Sequence, residues 1–282
     1  MTVLSPSDIV PKDFIYEKYI AENNLLQILG ISSLPKDPSS KKILPVNFSV
    51  DPANKTPFPP ELDDLTRLHY IVCSRKVTTI LEFGVGKSTI IFGNALSVNK
   101  KKYVDFTSRN LRRDNLYECH SIDNYQSWID ECKELLPDDL INNGIVNLHC
   151  SKLSISEFSG RVCTFYDPVP NLCPDLIYLD GPDQFSPTGD IRGLTTNHQD
   201  RMPMSGDILA FEHFLQPGTL IVVDGRTANA RFLAANLQRR WAHCYSEDWD
   251  QHFFELQEEP LGIYNKRMLD HCLGNKYFQR LI

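Results

Sequence analysis

The sequence predicts an α/β fold, a doubly wound and mostly parallel sheet of seven strands that ends in an antiparallel hairpin. Three observations carry this. From Glu61 onward, strand-sized apolar runs alternate with segments of helical period, the pattern of a parallel sheet covered on both faces. The first of these strands runs directly into a glycine turn, Gly84-Val85-Gly86. The last two strands, Trp241 to Ser246 and Phe253 to Leu256, are joined by a short acidic loop, which suits a hairpin and is too short for a parallel crossover.

The elements follow in order. In residues 1–60, Phe14, Ile15, Tyr19, Leu25, Leu26 and Leu29 recur at helical spacing, and Gly30 is placed to end that helix. Pro35, Pro38, Pro45, Pro52, Pro57, Pro59 and Pro60 then exclude helix and central strand and predict an extended connector. Residues 1–60 are read as an N-terminal extension and 61–282 as the domain. Its predicted elements are a helix over 61–74, a strand over 78–83, and a short helix through Ile90, Ile91 and Leu96. Asn99 to Asn115 is read as a polar loop insertion. Strands over 116–123, 145–150, 175–180 and 219–224 alternate with helices near Trp128–Leu136, Ile208–Leu215 and Thr227–Arg240. A long polar segment after Asp183, with Phe185, Arg192, His198 and Arg201, is a candidate substrate lid. There is no internal repeat, and the tail from Glu258 receives no assignment.

Composition narrows the function classes. With 282 residues, 41% hydrophobic and 23% charged, the chain is of ordinary globular type. Its 29 basic against 36 acidic side chains give a net charge of −7, which disfavours general attraction to nucleic acid. The one basic cluster, Lys100, Lys101, Lys102, Arg109, Arg112 and Arg113, is read as a solvated loop. No apolar run approaches the roughly 18 residues of a membrane span, and Met1 to Pro6 show neither a basic head nor an apolar stretch. The eight cysteines include no C-x-x-C pair, so free thiols in a reducing cytoplasm are expected.

The segment Glu82-Phe83-Gly84-Val85-Gly86-Lys87-Ser88-Thr89 admits three nucleotide-site readings. A P-loop would need its first glycine where Leu81 stands, and a dinucleotide fingerprint would need its third at Thr89. The pattern acid-x-Gly-x-Gly-x-[Gly/Ser] is matched by Glu82, Gly84, Gly86 and Ser88, and it resembles the first motif of class I S-adenosylmethionine-dependent methyltransferases. The resemblance spans about Glu61 to Leu256 and implies a Rossmann-like seven-stranded sheet, with S-adenosyl-L-methionine as cofactor. It implies that Glu82 helps hold the methionine end, that the glycines admit close approach of the ligand, and that Asp123, followed by Asn124, takes the ribose hydroxyls. Ser151, at the end of the third strand, is placed near adenine by position. Asp123 lies farther past Gly86 than the roughly 20 residues usual in such folds, and a helix-capping role for it stays open.

Ligands of open α/β sheets bind beyond the C-terminal strand ends. Asp180, in Asp180-Gly181-Pro182-Asp183, and Asp224, in Asp224-Gly225-Arg226, are therefore expected to face one pocket, as catalytic groups, as ligands of a magnesium ion, as a pair sharing a proton, or paired by Arg226, and Asp180 is also a candidate to hold the methionine amino group of the cofactor. His198 is a candidate general base, against a plain loop histidine. The [Asp/Asn/Ser]-Pro-Pro-aromatic motif of base amino-methyltransferases is absent. These residues point to a methyltransferase acting on a small molecule, through oxygen. A nucleic-acid methyltransferase and a non-catalytic cofactor-binding protein are the alternatives. Oligomeric state is not legible.

Overall fold

The computed structural model of the protein describes residues 4–31 and 61–281. The proline-rich connector expected before Glu61 lies outside the described residues. The N-terminal arm forms three short helices, α1 (Pro6–Ile9), α2 (Tyr16–Glu22) and α3 (Leu25–Ile28). Its Leu4, Ile9, Val10, Ile20, Leu25 and Leu29 are buried in one apolar cluster with α4 (Leu62–Ser74), so the arm packs as part of the core. Tyr19 also shares a 2.9 Å hydrogen bond with His69 Nδ1 of α4.

The sheet then begins with β1 (Thr79–Phe83), followed by α5 (Lys87–Asn110), β2 (Glu118–Asp123), α6 (Gln126–Leu135), α7 (Asp138–Asn142) and β3 (Val146–Cys150). The hairpin β4 (Lys152–Phe158) and β5 (Arg161–Asp167) comes next, then β6 (Leu176–Leu179), α8 (Asp207–Phe211), β7 (Leu220–Asp224) and α9 (Thr227–Asn236). The chain closes with β8 (Trp241–Ser246), β9 (Gln251–Leu256), α10 (Ile263–Cys272) and α11 (Asn275–Gln279). The seven-stranded sheet runs β3-β2-β1-β6-β7-β9-β8, and β9 alone opposes the other six. This is the Rossmann-like doubly wound sheet with a C-terminal antiparallel hairpin that the sequence predicts.

Alternation along β1 sorts the two faces. Ile80 points into the cluster with α4 and α5, whereas Leu81 and Phe83 join Ile208 and Leu233 on the other side. Each such fully buried side chain contributes about 1.5–3 kcal/mol.

Three local expectations are corrected, and two unassigned stretches gain structure. The polar insertion at 99–110 is not a loop but the second half of α5, a helix of 24 residues. Its Leu96, Asn99, Tyr103 and Thr107 fall on one face; Asn99 Nδ2 donates to the carbonyls of Val72 and Val77, and Thr107 pairs with the Tyr117 hydroxyl. The basic cluster is accordingly mostly helical, and Arg113 is buried against Asp175. Between β3 and β6 stands the unpredicted β4–β5 hairpin, whose turn residues Ser159 and Gly160 both have positive φ (49° and 74°), as a two-residue hairpin turn requires. The predicted helix to Arg240 stops at Asn236, and the tail folds into α10 and α11. Among the described residues no helix is long and apolar enough to cross a membrane.

Candidate functional site

Strand order switches direction between β1 and β6, and ligands of open α/β sheets bind at such a switch. Both strands end there in turns held by one carbonyl, that of Phe83, which accepts from the nitrogens of Asp180 (3.0 Å) and Gly181 (2.7 Å). The β1 turn is built from within by Glu82. This carboxylate is fully buried and accepts three hydroxyls, Ser88 and Ser121 at 2.5 Å and Thr89 at 2.7 Å. Burial pushes its pKa up to about 7, against those three hydrogen bonds. Glu82 and Ser88, expected at the ligand, thus face each other and shape the turn, Glu82 from within and Ser88 half-buried beside it.

Gly86 differs. It begins α5 in extended backbone that any residue adopts, and a Cβ placed there would meet nothing within 4 Å. Neither conformation nor packing asks for glycine at this position, so the free space above it is where a ligand's close approach would explain the residue.

Asp123 ends β2 almost buried, 6% exposed, with Oδ1 accepting the Tyr125 nitrogen at 2.8 Å. It does not cap α6 by side chain; Tyr125 holds that position. Burial raises its pKa, the backbone N–H groups of Tyr125, Val85 and Asn124 oppose the shift, and the Asp183 carboxylate adds to it. Asn124 is half-buried and meets Ser186 at 3.5 Å. Ser151, placed near adenine by position, is turned inward. It is 3% exposed, its hydroxyl donates to the Pro168 carbonyl (2.7 Å) and its nitrogen to the Asp123 carbonyl (2.9 Å), so it fastens the hairpin's exit to β2.

On the other side of the switch, Asp180 and Asp224 stand one step beyond the paired Leu179 and Val223, as the strand order requires. Asp180 lies 3.5 Å from Arg226 Nε, and Arg226 Nη1 donates to the Pro182 carbonyl at 2.6 Å. The mass of the strand ends raises the Asp180 pKa to about 6; Arg226 opposes the rise and Asp224 adds to it. Its side chain is still 52% exposed, so the full shift belongs to a cleft covered from water. Asp224 accepts the Tyr178 hydroxyl on Oδ2 (2.7 Å) and Gln251 Nε2 on Oδ1 (3.0 Å).

This donor set does not fit the magnesium ion expected between Asp180 and Asp224. Both Asp224 oxygens are taken, Asp180 faces a guanidinium, and among the described residues no third ligand joins them. Among the described residues, one group of three carboxylates has ligand atoms within 4.8 Å of one another, and it is Glu61, Asp63 and Asp64 at the start of α4. Asp63 and Asp64 there pair with Arg67.

The segment after Asp183 lies along the β4–β5 hairpin as an edge on each side, Thr188 against Leu153 and Ile155, Met204 and Gly206 against Thr164. His198, the candidate base, is 56% exposed, and its partners Thr196 and Asp200 belong to its own segment. Tyr178, Asp183, Gln251 and Arg67 were not picked out from the sequence. Gln251 had a usable signal: in the antiparallel register it pairs directly with Asp224. A cavity of about 660 Å³, lined by Thr79, Arg112, Leu172, Phe211, Tyr264 and Met268, opens at the opposite, N-terminal ends of the strands, away from all of these groups.

No protein-family model matches the sequence, and no curated protein matches it. Among solved structures, the chain is similar to an O-methyltransferase from Bacillus cereus in complex with SAH, at 13% identity over 85% of this chain and 98% of that one, with a TM-score of 0.38. It is similar to the O-methyltransferase TomG from Streptomyces achromogenes, involved in tomaymycin synthesis and in complex with SAM, at 12% identity over 91% and 92%, TM-score 0.36. It is also similar to the SAH-bound methyltransferase PaMTH1 from Podospora anserina, at 12% identity over 71% and 80%, TM-score 0.36. At such scores the fold rests on the strand order described above and not on these likenesses.

Proposed function

We propose that the protein is an S-adenosylmethionine-dependent methyltransferase acting on a small molecule through oxygen, with residues 61–282 as its catalytic unit. The observation that carries this reading is an open glycine turn ringed by acid. Asp123, Asp180, Asp183, Asp224 and the buried Glu82 act electrostatically on one another at the strand ends, against Arg226 beside Asp180 and Lys87 after Gly86. Carboxylates so arranged repel the phosphates of a nucleotide and favour a nucleoside that carries a sulfonium and an ammonium.

S-adenosylmethionine, when bound, supplies a methyl group on that sulfonium, already electrophilic. The protein's own work is alignment, exclusion of water and removal of one proton. Asp123 is assigned the ribose hydroxyls, Gly84 and Gly86 the close backbone approach, and Asn124 the adjoining wall. Asp180, whose pKa is pushed up to about 6, is assigned the proton of the acceptor hydroxyl. With the cofactor bound, the acceptor oxygen relieved of its proton by Asp180 would receive the methyl group, and S-adenosylhomocysteine would leave with the sulfur's electron pair. Arg226, with Nε 3.5 Å from its carboxylate, holds Asp180 in place, and His198 is given no part in the step.

S-adenosylhomocysteine should raise the melting temperature, whereas ATP-magnesium and NAD should not, because only ligands of the native state stabilise it. Asp123→Asn keeps the acceptor for the Tyr125 nitrogen but loses the charge, and should weaken S-adenosylhomocysteine about 10- to 100-fold in calorimetry. A melting shift with ATP-magnesium alone would overturn the reading.

A further inference from the structure

Arg67 is 1% exposed, the largest side chain so deeply buried, and it lies in α4, outside the strand-end turns. It is held from four directions. Asp63 and Asp64 pair with it from its own helix, Tyr16 of the N-terminal arm accepts from Nη1 at 3.1 Å, and Trp249 of the β8–β9 turn covers it at 5.1 Å. Its Nε donates to Gln251 Oε1 at 3.4 Å, and Gln251 is itself fully buried.

A guanidinium has donors and no acceptor, so Gln251 can turn only its oxygen toward Arg67. The amide nitrogen must then face the other way, where it donates to Asp224 Oδ1 at 3.0 Å. Tyr178 donates to Oδ2. Arg67 therefore fixes the amide, and the fixed amide gives Asp224 a second donor. Burial raises the Asp224 pKa, and the two donors work against that rise, favouring the charged form. Asp180, next to it, has one long contact to Arg226 and a half-exposed side chain.

We propose that Arg67, acting through the Gln251 amide, is the positioning residue that keeps Asp224 ionised throughout, so that of the two carboxylates Asp180 is the one that takes up the acceptor's proton. This rests on the acceptor-side reading above and deepens it. It also gives the N-terminal arm a part in the site, because Tyr16 is one of the groups that hold Arg67. The charged and titratable groups around Asp224 are Tyr178 and Asp180 from the β6 end, Arg67 and Glu61 from α4 and its approach, Arg226 from its own turn, and Asp250, whose carbonyl accepts from Gly225. Burial is the largest influence and opposes the Asp224 charge; Tyr178, Gln251 and Arg67 favour it, and Glu61 adds to the opposition.

The test is a carboxyl-carbon NMR titration of the full chain labelled at aspartate, with Asp180→Asn and Asp224→Asn assigning the two signals. In the wild type Asp224 should titrate below Asp180. In Gln251→Met, which keeps volume and leaves Arg67 its own partners, the Asp224 midpoint should rise by about one pH unit or more, and the Asp180 midpoint should fall because its neighbour is now neutral. Arg67→Met should do the same if it folds, and Gln251→Met carries the test if it does not. Merely loosening the strand ends would move both midpoints toward the ordinary carboxylate range. That result, unchanged midpoints, or a wild type with Asp180 below Asp224 would overturn the proposal. Binding of S-adenosylhomocysteine to the wild type is read separately, so failure of the cofactor reading is distinguishable from failure of this one.

Discussion

Gly84 and Gly181 occupy one space: a Cβ on Gly181 would lie 2.8 Å from the Gly84 nitrogen and 3.0 Å from its Cα. Gly84 itself has φ +102°, a conformation open to glycine and rarely to others. The two turns that carry the candidate site thus touch through backbone, with no side chain between them.

Gly181→Ala should cost about 1–3 kcal/mol in urea unfolding, since the clash is with backbone that cannot rotate away. The displaced turn carries Asp180, so S-adenosylhomocysteine affinity should fall too. Wild-type stability in this variant would mean that the turns are free to part.

The Glu82 pKa, raised from 4.5 to about 7 by burial, has a stability consequence with a definite sign. Between those values the native protein binds more protons at Glu82 than the unfolded chain, so its contribution to stability falls as pH rises through that window. Glu82→Gln removes the titration. The stability of the wild type relative to Glu82→Gln should therefore decline by roughly 3 kcal/mol from below pH 4.5 to pH 8, in parallel urea melts. Asp207, also raised to about 7, is common to both proteins and cancels. A pH-independent difference would contradict the buried carboxylate.

Two neighbouring arginines should behave oppositely. Arg113 and Asp175 are both nearly inaccessible, with side chains 5% and 7% exposed. Arg113→Met strands the Asp175 charge and should cost about 3–5 kcal/mol. Arg112, exposed and set over the Tyr264 ring at 5.5 Å, should cost under about 1 kcal/mol when changed to Met. Equal losses would indicate that Arg113 is as solvated as its neighbour.

Magnesium at millimolar concentration should leave the melting temperature and S-adenosylhomocysteine affinity unchanged, and EDTA should do the same. The Asp224 oxygens are bonded to Tyr178 and Gln251, and Asp180 faces Arg226. A shift abolished by Asp224→Asn would show that these bonds yield to the ion.

Polarity misleads at 99–110 because a helix with one buried face can be almost wholly polar. Asn99 and Thr107 satisfy their side chains inside the core, so apolar periodicity does not register them. The β4–β5 hairpin had a local signature, Ser159-Gly160 between alternating runs, but it falls where a crossover helix would be expected between parallel strands. The directions of the Ser88 and Ser151 hydroxyls were not legible for a different reason. Motif position places a residue along the chain but does not say which way its hydroxyl turns, and Glu82 and the Pro168 carbonyl capture these two.

By itself the sequence determined the alternation of strands and helices, the glycine turn at the end of β1, and acids at the ends of β2, β6 and β7. These are properties of short segments, set by period, by glycine's missing Cβ and by where an apolar run ends. Tertiary structure decided what each acid does. Glu82 became an internal strut because three hydroxyls from α5 and β2 converge on it. Asp224 became a bonded carboxylate because the reversed strand β9 sets Gln251 beside it and α4 sets Arg67 behind that amide. Arg67 and Gln251 are 184 residues apart in sequence, and an interaction between such distant groups exists only once the sheet has brought them together.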